Sequence, residues 1–437
     1  MGGEMATQQE ILSEIQKAQV YMGSAYEMVR TTNFPTEGIP VHNGENLLQK
    51  IQDNPEDSTF ILDTDFVQDV GQCVIPKPCS IKGQGSAKLV NAAIDARPRD
   101  VKFFGVVIDG KDQVTILATG PATFVEDSVL NGHPHLQHRG ILCNTEGCRV
   151  LRTKVLNIKK WQDTQAISGF AGTKDLIIDD CDLEASGENI MFGGDTTPSA
   201  SAIPRNIYIN NTRMFKKLEW RADPEAGCKN LFELKECEDL LMENCTFEYS
   251  FVDAQIGYAM VLSVRNQYGR SPWAVIKNVM IRNNTFRHTA GGVSILGRDD
   301  IHPSEVMDNV TLLNNRFEDI NQQLFGGNGR QVFISGGPRN LRLEQNYFDG
   351  GGTQLLNTAF SFDRCGPPEN LKAENLQVIA NRFVEGNYGM HAQDGPALGE
   401  AAINFAAPGY TWTGPNTVKR SGVRTIKWPA NTVFETA

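Results

Sequence analysis

The residues best placed to do chemistry fall on short stretches that alternate apolar and polar side chains. Leu231 to Lys235, Met260 to Arg265, Val293 to Arg298, Val332 to Gly337 and Ala359 to Arg364 each read as a strand. Their outward positions are Glu233 and Lys235, Ser263 and Arg265, Ser294 and Arg298, Ser335, then Ser361 and Asp363. Stacked at about 5 Å per strand, Lys235, Arg265 and Arg298 form a basic ladder on an acidic chain. Glu188, Asp195, Glu219, Asp253, Asp299 and Asp300 surround it from longer loops, and Trp220 and Trp273 lie in the flanking loops. Such a group suits an acidic polysaccharide. Lys and Arg neutralise a uronate carboxylate, aromatic faces stack on sugar rings, and a carboxylate or base moves protons. In elimination, an Arg, Lys or His removes the proton acidified by that neutralisation, and His288 is the histidine best placed to do so. Hydrolysis needs a carboxyl pair about 5 to 9.5 Å apart, and the sequence offers Glu233 with Asp253, or Asp299 with Asp363. The expected catalytic set is therefore Glu233, Lys235, Arg265, His288, Arg298 and Asp299. Glu188, Asp195, Trp220, Asp253, Trp273 and Asp363 are expected to hold the substrate.

Each of these residues also has a plain structural role open to it. Glu233, Lys235 and Arg265 form either a binding surface or a salt-bridged ladder. Trp273, after Pro272, is either a sugar platform or a loop anchor. Asp299 and Asp300 are either acids or the cap of a turn, and His288 is either a base or a turn histidine. No calcium loop, nucleotide loop or Gly-x-Ser-x-Gly elbow stands in a suitable context. The His133, His135, His138 spacing resembles a metal site but lacks Cys or carboxylate support. No cofactor or metal is expected, and a bound calcium would have no motif behind it.

A phrase repeated seven times says what positions these residues. An Asn or Asp opens it, aliphatic residues follow, then a polar pair and a large apolar residue: Asp175–Leu183, Asn206–Met214, Asp239–Phe247, Asn278–Phe286, Asn309–Phe317, Asn340–Phe348 and Asn375–Phe383. The starts are 31, 33, 39, 31, 31 and 35 residues apart. A unit that short cannot bury its own apolar face, so it must stack on its neighbours as a solenoid. Aligned, the phrases place Cys181, Thr212, Cys245, Asn284, Asn315, Asn346 and Asn381 in one column, which reads as an asparagine ladder. Leu183, Met214, Phe247, Phe286, Phe317, Phe348 and Phe383 form another, a stack inside the coil. Both are scaffold, with Cys181 and Cys245 as small buried hydrophobes. The predicted fold is all-β, a right-handed parallel β-helix over 41–400. An N-terminal helix and linker (1–40) precedes it and a closing segment (401–437) follows.

The run Cys73-Val-Ile-Pro-Lys-Pro-Cys-Ser-Ile-Lys-Gly-Gln-Gly85, after a short helix near Glu45 to Gln52, resembles the entrance of the pectin-lyase-like β-helix superfamily. Gly187 to Gly194, Asn230 to Lys235, Asp253 to Gln255, Asn266-Gln267, Ser271 to Trp273 and Trp428 to Phe434 are similar to a narrower group of bacterial β-helix proteins. That superfold hosts lyases, hydrolases, epimerases and non-enzymatic binders.

In the N-terminal segment, Ile11, Ile15, Ala18, Met22, Ala25 and Val29 mark a heptad seam over 8–30. It is either a coiled coil joining protomers, a trimer as in a phage tailspike, or a cap over the solenoid's end. A formal charge of −11 over 437 residues disfavours nucleic acid. No run of eighteen apolar residues spans a membrane, and no secretory signal is visible. Nine cysteines cannot all pair, which favours folding in a reducing cytoplasm. Three functions compete: a glycan-binding tail protein of a virion, with or without cleavage; a secreted polysaccharide lyase or hydrolase; and a structural or adhesive β-helix. The first is expected, with a polysaccharide or cell-surface glycan as partner.

Overall fold

The computed structural model describes residues 34–437 except 112, 134–136, 162, 350–359, 363–370, 396–397 and 436–437. The heptad seam at 8–30 and Asp363 lie outside the described residues. Two compact units divide the chain, 1–37 and 38–437.

Most coils of the second unit contribute three strands. In one coil these are Lys174–Asp179, Asp182–Ala185 and Glu188–Phe192. Among the described residues the first strands join a parallel sheet of 14 strands, hereafter the first face. The others form a 25-stranded array that bends into a second and a third face. The long strand Lys88–Ala96 makes the bend, pairing Val107–Gly110 with its first half and Val114–Ala118 with its second. The chain is thus a parallel β-helix. Its entrance is the helix Leu47–Asp53, whose N-cap Asn46 accepts from the Gln49 amide.

The repeated phrase is legible in backbone geometry. Its opening residue adopts a left-handed conformation in every coil, with φ between 49° and 55° at Asp175, Asn206, Asp239, Asn278, Asn309, Asn340 and Asn375. Asn and Asp tolerate that region better than other residues with a Cβ. Their side chains also bond from coil to coil. Asn206 Nδ2 donates to Asp175 Oδ1 at 2.9 Å, and Asn309 Nδ2 to Asn278 Oδ1 at 2.9 Å. This outer ladder explains the phrase's first letter.

An inner ladder occupies the turn between the first two faces. Asn315 Oδ1 accepts from the Asn284 amide at 3.0 Å, Asn346 Oδ1 from Asn315 at 2.9 Å, and Asn381 Oδ1 from Asn346 at 2.9 Å. The column extends one rung further than the phrase, to Asn416. Beside it, Phe247, Phe286, Phe317, Phe348 and Phe383 stack with centroids 4.4 to 5.1 Å apart, and Trp412 closes the stack 5.9 Å on. All five rings are buried. Each contributes roughly the 1.5–3 kcal/mol of a fully buried large apolar side chain. The interior is therefore filled, and ligands must meet the outside.

Candidate functional site on the third face

Three consecutive strands of the third face, Arg139–Cys143, Gln165–Gly169 and Glu188–Phe192, align Arg139, Gln165 and Glu188 in register. The next strand, Phe232–Leu234, places Glu233 opposite Met191. Glu188 is 1% exposed. Its Oε2 accepts from Gln165 Nε2 at 2.7 Å, and its Oε1 lies 3.4 Å from Lys229 Nζ. Burial, reinforced by the neighbouring Glu233 carboxylate, pushes the Glu188 carboxyl up to about 7, against the smaller opposing pull of the Gln165 hydrogen bond. Glu233 accepts from Asn230 Nδ2 at 3.1 Å and sits 3.6 Å from Lys235 Nζ.

Beneath this pair, the wholly buried Lys216 donates to the carbonyls of Ala185 (2.9 Å), Ser186 (2.8 Å) and Gly187 (2.5 Å). That grip fixes the turn from which Glu188 emerges. Burial lowers the Lys216 ammonium to about 8, and it lowers Lys229 as well. Arg139 is held down by burial and drawn back up by Glu188 and Asp195. Its guanidinium lies 5.2 Å from the Phe170 ring centroid.

Buried polar atoms without a hydrogen-bond partner among the described residues concentrate here. They include Arg139 Nε, Gln165 Oε1, Ser168 Oγ and Asn230 Oδ1. Each such group costs about 1–3 kcal/mol to leave unpaired, so a folded chain that keeps several on one outer face reserves them for a ligand or ordered water. The arrangement combines two carboxyls on neighbouring coils, one of them holding its proton up to about pH 7, with cationic Lys229, Lys235 and Arg139. Proton transfer and the binding of hydroxyl-rich or anionic groups are within its chemistry.

The residues expected from sequence separate into groups. Glu188, Glu233 and Lys235 come together, with the exposed Asp195 at their edge. Arg265 lies one coil on, its amide bonded to the Lys235 carbonyl, and its guanidinium pairs with Asp300 and, at 3.6 Å, with Asp299. Asp299 caps its own turn, accepting from the Ile301 amide at 2.7 Å and, through its other oxygen, from the Asn266 amide at 2.7 Å. Arg298 donates to the Gly336 and Gly337 carbonyls. Asp253 accepts from the Cys228 amide at 2.6 Å. His288 belongs to the second face, bonded to Asp319 at 2.8 Å and stacked on Tyr249 at 5.4 Å. Trp220 is 4% exposed within a satellite core with Phe251 and Phe325, and offers no open ring. Trp273 donates Nε1 to the Thr197 carbonyl at 3.1 Å and anchors that loop. Among the described residues no cluster of ligating side chains could hold a metal ion.

Arg139 and Gln165 were not expected because their coils precede the phrase, whereas Lys216 and Lys229 lie between two copies of it with no local mark. A signal was available: Arg139-Gly-Ile-Leu, Gln165-Ala-Ile-Ser and Glu188-Asn-Ile-Met share an Ile at the third position.

Solved structures place this architecture among known folds. The catalytic unit of a GH87 α-1,3-glucanase from Streptomyces thermodiastaticus strain HF3-3 matches with a TM-score of 0.60 at 11% identity, over 92% of this chain and 71% of that one. The catalytic domain of a GH87 α-1,3-glucanase in complex with nigerose matches with a TM-score of 0.50 at 12% identity, over 93% of this chain and 68% of that one. The shared fold is the parallel β-helix. At such identities the likeness speaks for the fold alone. No family model matches the β-helix sequence, and no curated protein does.

Proposed function

We propose that this pectin-lyase-like β-helix binds a polysaccharide along its third face and hydrolyses it there. The observation that carries the reading is the set of unpartnered buried polar atoms gathered around the Glu188 and Glu233 pair. Glu188, protonated below about pH 7, donates a proton to the glycosidic oxygen. Glu233, on the next coil and beside Lys235, acts as the second carboxylate. Lys229, Lys235 and Arg139 favour a glycan that carries carboxylates. The solved structures that share the fold include α-1,3-glucanases, which supports a glycan-directed role for an outer face of such a coil. Incubation with a panel of neutral and acidic polysaccharides tests this. New reducing ends support hydrolysis. Ultraviolet-absorbing unsaturated ends would replace it with elimination, and the absence of both binding and product would end it.

The same reading includes assembly as a trimeric, tailspike-type protein of a virion. The heptad spacing at 8–30 supports it. Sedimentation of the full chain tests it, and a monomer of the chain's mass would remove it.

A further inference from the structure

Cys143 ends a strand of the third face, and Cys148 directly precedes the strand Arg149–Leu151 of the first face. The four residues between them form the external turn of that coil. Both thiols point into the core, wholly buried, and their sulfurs lie 2.7 Å apart. That is only about 0.7 Å beyond a formed disulfide bond. Cys181 and Cys245 bond differently, each donating its thiol to a main-chain carbonyl.

We propose that Cys143 and Cys148 are a disulfide-forming pair that locks this turn when the chain folds in the presence of a disulfide oxidant. The step balances as thiol–disulfide exchange. One cysteine thiolate attacks a low-molecular-weight disulfide or the disulfide of an oxidoreductase, forming a mixed disulfide and releasing one thiolate. The other cysteine then attacks the mixed disulfide and releases the second thiolate. The two cysteine protons end on the released thiols, and the oxidant is reduced by two electrons. Contact with Cys148 and burial raise the Cys143 thiol well above its ordinary range, so the exchange occurs before the coil above covers it.

The lock sits beside the candidate site. The Cys143 carbonyl accepts from Thr173 Oγ1 at 2.6 Å, and Asn144 Oδ1 accepts from the Phe170 amide at 2.9 Å. Phe170 in turn lies beneath Arg139. Closing the bond therefore fixes the support under that guanidinium.

The test uses the full chain and needs no variant. Trypsin cuts after Arg139 and Arg149, so one peptide carries both cysteines. After refolding with glutathione disulfide, followed by alkylation in denaturant, that peptide should be unalkylated and lighter by two hydrogens than its reduced form. Of the nine cysteines, two are then lost to thiol titration. Recovery of the peptide with both thiols alkylated, or of either cysteine joined to a different partner, would overturn the proposal. Cys143→Ser should titrate the same number of thiols with and without oxidant, and a loss of two in that variant would count equally against it.

Discussion

Replacing Glu236 by Gln should remove a pH dependence of stability that the wild-type chain carries. Glu236 follows the strand bearing Glu233 and is 1% exposed. One carboxyl oxygen accepts from Thr197 Oγ1, while Oε2 is buried without a partner among the described residues. Burial raises the carboxyl most, the Thr197 hydroxyl offsets part of that, and Asp195 adds to it. The result is about 7 against an ordinary 4.5. Between those values the folded chain holds a proton that the unfolded chain has lost, so stability falls as pH rises. At 1.36 kcal/mol per pH unit the full difference is about 3 kcal/mol. It is absent below about pH 4.5 and complete above about pH 7. Gln is isosteric with the neutral acid and does not titrate. The variant should therefore match the wild type at pH 4.5 and exceed it by up to about 3 kcal/mol at pH 8. Thermal melting across that range, read by far-ultraviolet circular dichroism, measures the gap. Parallel pH profiles for the two proteins would refute the argument, because they would mean that Glu236 titrates alike in both states.

Further outcomes follow from the scaffold and the site. Phe317→Ala opens a hole between Phe286 and Phe348 and should cost about 3–5 kcal/mol, read by chemical denaturation. Asn315→Ala strands the Asn284 amide and the Ile281 carbonyl. At about 1–3 kcal/mol per buried unpaired group, hydrogen exchange should quicken in the coils on either side. Lys235→Met should weaken polysaccharide binding at least tenfold by calorimetry. Arg298→Met, which loses only main-chain carbonyl contacts, should leave it nearly unchanged.

Much of the scaffold could be read from sequence because it obeys period-two alternation and a fixed phrase. The Asn284 to Asn381 and Phe247 to Phe383 columns follow from alignment alone. The Asn416 rung escaped because its coil lacks the phrase, and the outer Asn ladder because φ cannot be read from letters. The site was partly legible. Glu233 and Lys235 could be picked out on a short stretch between two copies of the phrase and Glu188 on a neighbouring loop, although Glu188 and Glu233 are buried. Arg139 and Gln165 required knowing which strands lie in register 26 and 23 residues apart. Lys216 was hidden for a different reason: it is an interior lysine held by three main-chain carbonyls, which no local pattern marks. The tryptophans misled because an aromatic ring in a loop near charges packs as readily inward, as Trp220 does, as outward.

The most direct test of the central claim is the rate of polysaccharide cleavage by the wild type and by Glu188→Gln, with binding measured alongside. If Glu188 is the acid, the wild-type rate falls as pH rises through about 7, where its carboxyl loses the proton. The variant should bind as the wild type does and lose at least about a hundredfold in rate. A Glu188→Gln protein that cleaves at the wild-type rate would contradict the account.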